Sequence, residues 1–135
     1  MKISIVTVTY NSAATVRDPF DSILSQVFKN YECIVVDGGS KDGTLDIIKE
    51  YELLFQGRMR WISEPDKGLY DAMNKGVKLA TGDVIGMLNA DDFYFDNGVL
   101  EKIADAVETY RVDCVFGDLL FVDANDTHIV TRVWK

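Results

Sequence analysis

Apolar and polar positions alternate in long blocks along this chain. "KISIVTVT" (2 to 9) is almost continuously apolar and rich in β-branched residues, as a strand buried on both faces requires. Val16, Phe20, Ile23, Leu24 and Val27 follow at spacings of four, three, one and three, which draws one apolar stripe along a helix over about 13–28, with Pro19 near its first turn or at a kink. "YECIVVD" (31 to 37) predicts a second strand, closed by the turn and helix-start signals of "GGSKDG". A helix over about 44–55 then buries Leu45, Ile48 and Phe55, and "MRWIS" (59 to 63) is a short third strand. The next helix, 68–80, turns Leu69, Ala72, Met73 and Val77 inward and ends at Gly82; "DVIGML" (83 to 88) is a fourth, buried strand. A helix over about 97–109 follows, and "VDCVFGDLLFVD" and "HIVTRVW" supply two or three more strands.

Strands that alternate with helices over short connections call for a mostly parallel sheet of right-handed βαβ units, a three-layer α/β/α, Rossmann-like class. In a doubly wound sheet the first strand is central, with strands two and three to one side and strand four to the other, so a switch point opens between strands one and four.

Composition narrows the function. The 135 residues fit one domain, and 47% hydrophobic with 27% charged residues describes a folded chain. Against 14 Lys and Arg stand 22 Asp and Glu, a formal net charge of -8, which repels nucleic-acid phosphates and requires a cation between this surface and any phosphate ligand. The N-terminus lacks the pattern of a signal peptide, and no run approaches the ~18 apolar residues of a membrane span. Cys33 and Cys114 sit in apolar strand-like stretches and read as buried, reduced thiols, so the expected location is cytoplasmic.

The carboxyl ends of the strands carry the chemistry: "TYN" (9 to 11), "DGGSKDG" (37 to 43), "SEPDKG" (63 to 68) and "NADD" (89 to 92). Ligands of open α/β sheets bind beyond those ends at the switch point, which sets Thr9, Tyr10 and Asn11 beside Asp91 and Asp92. Two adjacent carboxylates raise each other's pKa unless a cation compensates them. Hard oxygen ligands without His or Cys suit Mg²⁺ or Mn²⁺, completed by water and a diphosphate; the alternative is an Asx turn leading into the next helix. Asp37 is open to two readings, an acceptor for an N–H or ribose hydroxyl and a cap for the Gly38–Gly39 turn. "GGSKDG" has neither the P-loop nor the G-x-G-x-x-G spacing. Tyr10 and Trp61 suit base stacking or the core, and His128, in a polar turn, has no catalytic part.

"SIVTVTYN", "CIVVDGGSKDGT", "SEPDKGLYDAMNKG" and "ATGDVIGMLNADD", in this order and at these separations, resemble the family 2 inverting glycosyltransferases of GT-A fold, over residues 3 to about 118. The resemblance implies a nucleotide-sugar donor, commonly a UDP sugar, bound with Mn²⁺ or Mg²⁺, and a glycan or lipid-linked acceptor. It implies donor contacts from Thr9, Tyr10, Asn11, Asp37, Asp66, Gly68, Asn89 and Asp91. The family's acidic motif is usually D-x-D; its first position here is Asn89, so the metal falls to Asp91 and Asp92. The implied reaction is displacement at the anomeric carbon, with a cation at the departing diphosphate and a carboxylate base on the acceptor hydroxyl.

In relatives the base and the acceptor surface lie well downstream of the acidic motif, so the chain is expected to hold the donor half, truncated before the acceptor-binding part, with its base beyond Lys135. Asp118 and Asp123 follow "CVFG" too closely to be nominated. Three rivals stand beside this reading. A nucleotidyltransferase needs a Gly-rich loop after strand one, and "TYNSAATVR" has no glycine. A phosphoacceptor receiver needs its acidic pair at the end of strand one. A non-catalytic nucleotide-binding module remains, and the sheet edge near 128–135 is open to pairing in a homo-oligomer.

Overall fold

The computed structural model describes residues 1–111, 119–122 and 130–134. They divide into two compact units, Met1–Ala104 and Asp105–Lys135.

The first unit is built on four parallel strands, β1 (Ile3–Thr9), β2 (Tyr31–Asp37), β3 (Met59–Ser63) and β4 (Val84–Met87), in the order β3-β2-β1-β4. The switch point between β1 and β4 is therefore where the alternation of elements placed it. Helices α1 (Arg17–Leu24) and α2 (Thr44–Leu54) connect the first three strands, α3 (Leu69–Leu79) returns the chain to β4, and α4 (Val99–Tyr110) follows the acidic segment. In the second unit β5 (Leu119–Val122) and β6 (Val130–Trp134) pair antiparallel. Cys114, Asp118, Asp123 and His128, with the whole of "VDCVFGD", lie outside the described residues.

Strand alternation divides the core in two. Ile3, Ile5, Cys33 and Val35 face one way and meet Val16, Phe20 and Ile23 of the first connection, Ile48, Tyr51 and Phe55, and Leu100. Phe20 and Phe55 are fully buried edge to face, 6.2 Å between centroids, and Tyr31 repeats that geometry on Phe55 at 6.3 Å. Val6, Ile34 and Val36 face the other way, onto Ala72. Helices thus cover both faces, the expected three layers. Gly76 sets how close the third layer sits: a Cβ there would run into Val6 Cγ1, so only glycine lets α3 lie this near β1.

That close approach corrects the expected inward face of α3. Small residues, Ala72 and Gly76, make the buried stripe, and Leu69 and Val77 are turned out. Helix α1 is shorter than its apolar stripe; it stops at Leu24 and leaves Val27 exposed, its N–H on Asn97 O. Strand β4, expected to be buried, shows Ile85 and Met87 at 41% exposure, because α3 packs over β1 and β2 and no helix among the described residues covers the same face of β4.

Polar groups pin the amino ends of the strands. Glu32, buried at the start of β2, accepts hydrogen bonds from Ser4 Oγ (2.6 Å), Thr81 N (2.7 Å), Thr81 Oγ1 (2.9 Å) and Arg60 (2.8 Å), and so ties all four strand entrances together. Burial, the largest single influence, pushes its carboxyl upward, but these bonds together outweigh it and hold the pKa at about 2. A folded-state pKa below the unfolded one contributes stability that is complete above about pH 4.5 and is lost as the pH falls toward 2. Acid denaturation followed by circular dichroism should therefore lose part of its steepness in this window when Glu32→Gln is compared with the parent. An identical pH slope in the two proteins would remove Glu32 from that role.

Among the described residues one buried side-chain polar atom is unsatisfied. Thr7 Oγ1, in the middle of β1, has no hydrogen-bond partner among the described residues. Thr7→Val keeps the shape and removes the orphaned hydroxyl, so urea denaturation should show a gain of about 1 kcal/mol; a loss would mean that the hydroxyl has a partner after all.

Candidate functional site

The β1–α1 and β2–α2 connections are sewn together at the carboxyl edge of the sheet. Asn11, in the left-handed region at φ 48°, donates its N–H to Ser40 Oγ (2.8 Å) and accepts from Lys41 N through Oδ1 (2.9 Å). Ser12 N donates to Thr44 Oγ1 (2.8 Å), and Asp42 accepts from Thr44 N (2.9 Å) and Ala13 N (3.2 Å). Asx-type acceptors and hydroxyls thus replace the sheet ladder where the strands end.

Asp37 is the centre of this stitching. Its Oδ1 accepts from Thr9 Oγ1 (2.7 Å) and Ser40 Oγ (2.6 Å), and its Oδ2 from Gly39 N (3.0 Å), Ser40 N (2.8 Å) and Ser63 Oγ (2.8 Å). Five donors fill the roughly four lone-pair directions of a carboxylate. Burial is again the largest influence and pushes the pKa up, yet the bonds from Ser40, Thr9 and Ser63 together hold it below the usual range. Of the two readings left open for Asp37, the turn cap is the one displayed.

Tyr10, Gly38 and Asp66 converge just outside Asp37. A Cβ on Gly38 would stand 2.6 Å from Asp66 Oδ2 and 3.3 Å from Tyr10 Cδ1, so the ring and the carboxylate close over this glycine and a side chain there would displace the carboxylate end. Asp66 Oδ1 accepts from Gly68 N (3.0 Å), and Gly68, at φ 114°, is the N-cap of α3. Tyr10 is 63% exposed. Trp61, the other aromatic considered for stacking, packs against the core and donates its indole N–H to Glu52 (3.1 Å).

On the far side of the switch point Leu88 N bonds Val6 O (3.0 Å), and the chain then turns, with Asp92 N on Asn89 O (3.1 Å). Asn89, Asp91 and Asp92 are exposed on this turn. The protein packed beneath Asp92, and then the charge of Asp91, raise its carboxyl above the ordinary value, while a hydrogen bond from Asn89 opposes the shift. Among the described residues no Lys, Arg or His pairs with either carboxylate. Among the described residues no group of three or more His, Cys, Asp or Glu side chains converges as on a metal ion. An all-oxygen pair of this kind fits Mg²⁺ or Mn²⁺, which take one or two protein carboxylates and leave the remaining positions to water and phosphate.

A residue that pattern reading passed over holds this turn in place. Gln26, fully buried, donates through Nε2 to Asp96 O (2.6 Å) and Ser22 O (3.1 Å) and accepts from Leu100 N (3.0 Å). Ser22 Oγ accepts from Tyr94 N (3.1 Å). The segment that follows the acidic pair is so anchored at one end to Ser22 of α1 and at the other to Gln26, just beyond that helix. The only signal was a glutamine one turn beyond Ile23, at the end of an otherwise apolar stripe.

A parallel α/β sheet with acidic and aromatic groups gathered at its switch point is the architecture of GT-A glycosyltransferases. The sequence pattern of glycosyl transferase family 2 matches residues 4–134, and the chain belongs to that family. It is 37% identical over 123 residues, 90% of this chain and 48% of the relative, to the PGL/p-HBAD biosynthesis glycosyltransferase of Mycobacterium bovis (strain BCG / Pasteur 1173P2). It is 36% identical to the putative glycosyltransferase EpsE of Bacillus subtilis (strain 168), over 90% of this chain and 44% of that one. The chain thus spans about half the length of these relatives. Among solved structures, S. aureus TarS 1-349 in complex with UDP-GlcNAc superposes with a TM-score of 0.77 at 26% identity, over 90% of this chain and 34% of that one. The mannosyltransferase PcManGT of Pyrobaculum calidifontis, in complex with GDP-Man and Mn2+, shares the fold with a TM-score of 0.73 at 21% identity, over 93% and 37% of the two chains.

Proposed function

We propose that this chain is the donor-binding part of a metal-dependent, inverting glycosyltransferase that takes a nucleotide sugar, with UDP as the nucleotide, to a glycan or lipid-linked acceptor. The observation that carries the reading is the exposed Asp91–Asp92 pair, without a counter-charge among the described residues, at the switch point of the sheet. The UDP-GlcNAc complex of TarS and the GDP-Man and Mn2+ complex of PcManGT support a nucleotide-sugar ligand.

The residues divide the work by their chemistry. Asp91 and Asp92 hold the divalent ion, and Asn89 is at most a neutral ligand beside them. Bound there, the ion supplies neutralisation of the charge that grows on the departing nucleoside diphosphate. Tyr10 offers a ring face to the base, and Asp66, aimed across Gly38, offers an acceptor to an N–H or hydroxyl of the nucleoside. Asp37, saturated by protein donors, fixes the positions of Thr9, Ser40 and the Gly38 turn against which the nucleotide lies, and Asn11 and Gly68 hold the adjoining loops. The base is assigned to none of the described residues.

Calorimetric titration of UDP into the 135-residue chain, with and without Mn²⁺ and with GDP as comparator, tests the reading. Metal-dependent heat with UDP exceeding that with GDP is expected. No metal-dependent heat at millimolar nucleotide would overturn it.

A further inference from the structure

The opposite edge of the sheet, where the strands begin, carries an open cavity of about 510 Å³. Lys2, Lys29, Arg58 and Arg60 line it, with Glu32 and Thr81. Four cations against one anion make this pocket locally about +3 on a chain whose formal net charge is -8. Such a concentration of one sign within a concave wall focuses the field that a counter-ion meets.

The cations are arranged, and two of them are left over. Glu32, buried and held ionised, sits at the floor with Arg60 Nη2 at 2.8 Å and Lys2 Nζ at 3.7 Å. Arg60 also donates Nη2 to Leu79 O (2.6 Å), and Lys2 Nζ to Thr81 Oγ1 (2.8 Å), so both stems are fixed while their heads stay about half exposed. Lys29 donates to Leu24 O (3.0 Å) and Arg58 lies over the Tyr31 ring at 5.5 Å; among the described residues neither has a carboxylate within ion-pair distance. Stacking on an aromatic ring orients a guanidinium and leaves its fork of N–H donors outward.

We propose that this amino-edge pocket is an anion site for a phosphate-bearing ligand, separate from the acidic edge and independent of any divalent ion. The guanidinium fork matches the oxygens of a phosphate. A net positive charge near three exceeds what a single carboxylate balances and suits a phosphomonoester or a diphosphate. Both a phospholipid headgroup and a soluble phosphate ester present this chemistry.

The test uses the 135-residue chain in metal-free buffer with a chelator, where the acidic edge has no ion to bridge it to phosphate. Inorganic pyrophosphate is titrated by calorimetry into the parent, Lys29→Gln and Arg58→Gln, with folding checked by circular dichroism. Neither residue belongs to the donor site, so Mn²⁺-dependent UDP binding serves as the internal control. Pyrophosphate is expected to bind the parent, each variant to bind it about tenfold more weakly, the 1.4 kcal/mol of one charge-assisted contact, and UDP binding to change by less than about twofold. Sedimentation with phosphatidylglycerol and with phosphatidylcholine vesicles separates the sources. Retention on the anionic vesicles that is lost in Arg58→Gln assigns a lipid headgroup, and pyrophosphate binding without retention assigns a soluble ester. No pyrophosphate binding, or equal binding by both variants and the parent, overturns the proposal whether or not UDP binds at the other edge.

Discussion

Asp37→Ala is expected to cost the fold about 3 kcal/mol or more, the largest effect of any single substitution at the carboxyl edge. Its carboxylate is buried and accepts from two backbone N–H groups and three hydroxyls contributed by β1, β3 and the β2–α2 loop. Truncation leaves these donors facing a cavity, and each buried donor without a partner costs about 1–3 kcal/mol, partly relieved where water enters. Domains of ordinary size have only about 5–15 kcal/mol in total, so the variant should melt at a much lower urea concentration. Ser63→Ala, which withdraws a single donor and leaves the carboxylate four others, should cost about 1 kcal/mol. If the two variants unfold at the same urea midpoint, Asp37 is not the organiser of these loops.

Asp92→Ala is expected to remove most of the metal-dependent part of UDP binding, about tenfold or more in affinity, while stability stays within about 0.5 kcal/mol. The residue is exposed and its neighbour Asp91 repels it, so the fold has little to lose. The ion, by contrast, has at most two carboxylates on this turn to bind. Calorimetry with and without Mn²⁺, beside a urea curve for the same protein, separates these effects. Unchanged metal-dependent affinity would take the ion away from this pair; a large fall in stability would mean that the pair serves the turn. Asp37 and Asp92 thus differ in surroundings: five protein donors reach the first, and among the described residues no cationic side chain pairs with the second.

Much of the scaffold was readable because its signals are local. β-branched runs at 2–9 and 31–37 have one low-energy conformation, and their near-continuous hydrophobicity already implies helices on both faces. Short βαβ connections call for a parallel sheet, and the usual doubly wound arrangement has the order β3-β2-β1-β4, which the structure shows and which sets "NADD" beside "TYN". What local pattern missed was set by distance in space. The stripe from Val16 to Val27 predicts one long helix, but Gln26 is used instead to clamp Leu100 N and Asp96 O, seventy or more positions away, and the helix stops at Leu24. On α3 apolar periodicity picks out Ala72, which is buried, but also Leu69 and Val77, which are exposed, because contact with Val6 admits only Gly76 on the buried stripe.

The sequence by itself determined the class of fold, the edge of the sheet that bears the acidic and aromatic groups, and the family, since each follows from periodicity or from motifs that keep fixed separations. Only the tertiary structure decided which carboxylate is surrounded by protein donors and which is exposed. Asp37 and Asp92 look alike as strand-end acids in one dimension, and what separates them is the number of N–H and O–H donors that other strands and loops bring within 3 Å of Asp37. The same holds for the basic pocket, whose four cations are scattered from position 2 to position 60 and meet because parallel strands begin at one edge. Charge and hydrogen bonding act over a few ångströms, and that distance is set by the fold.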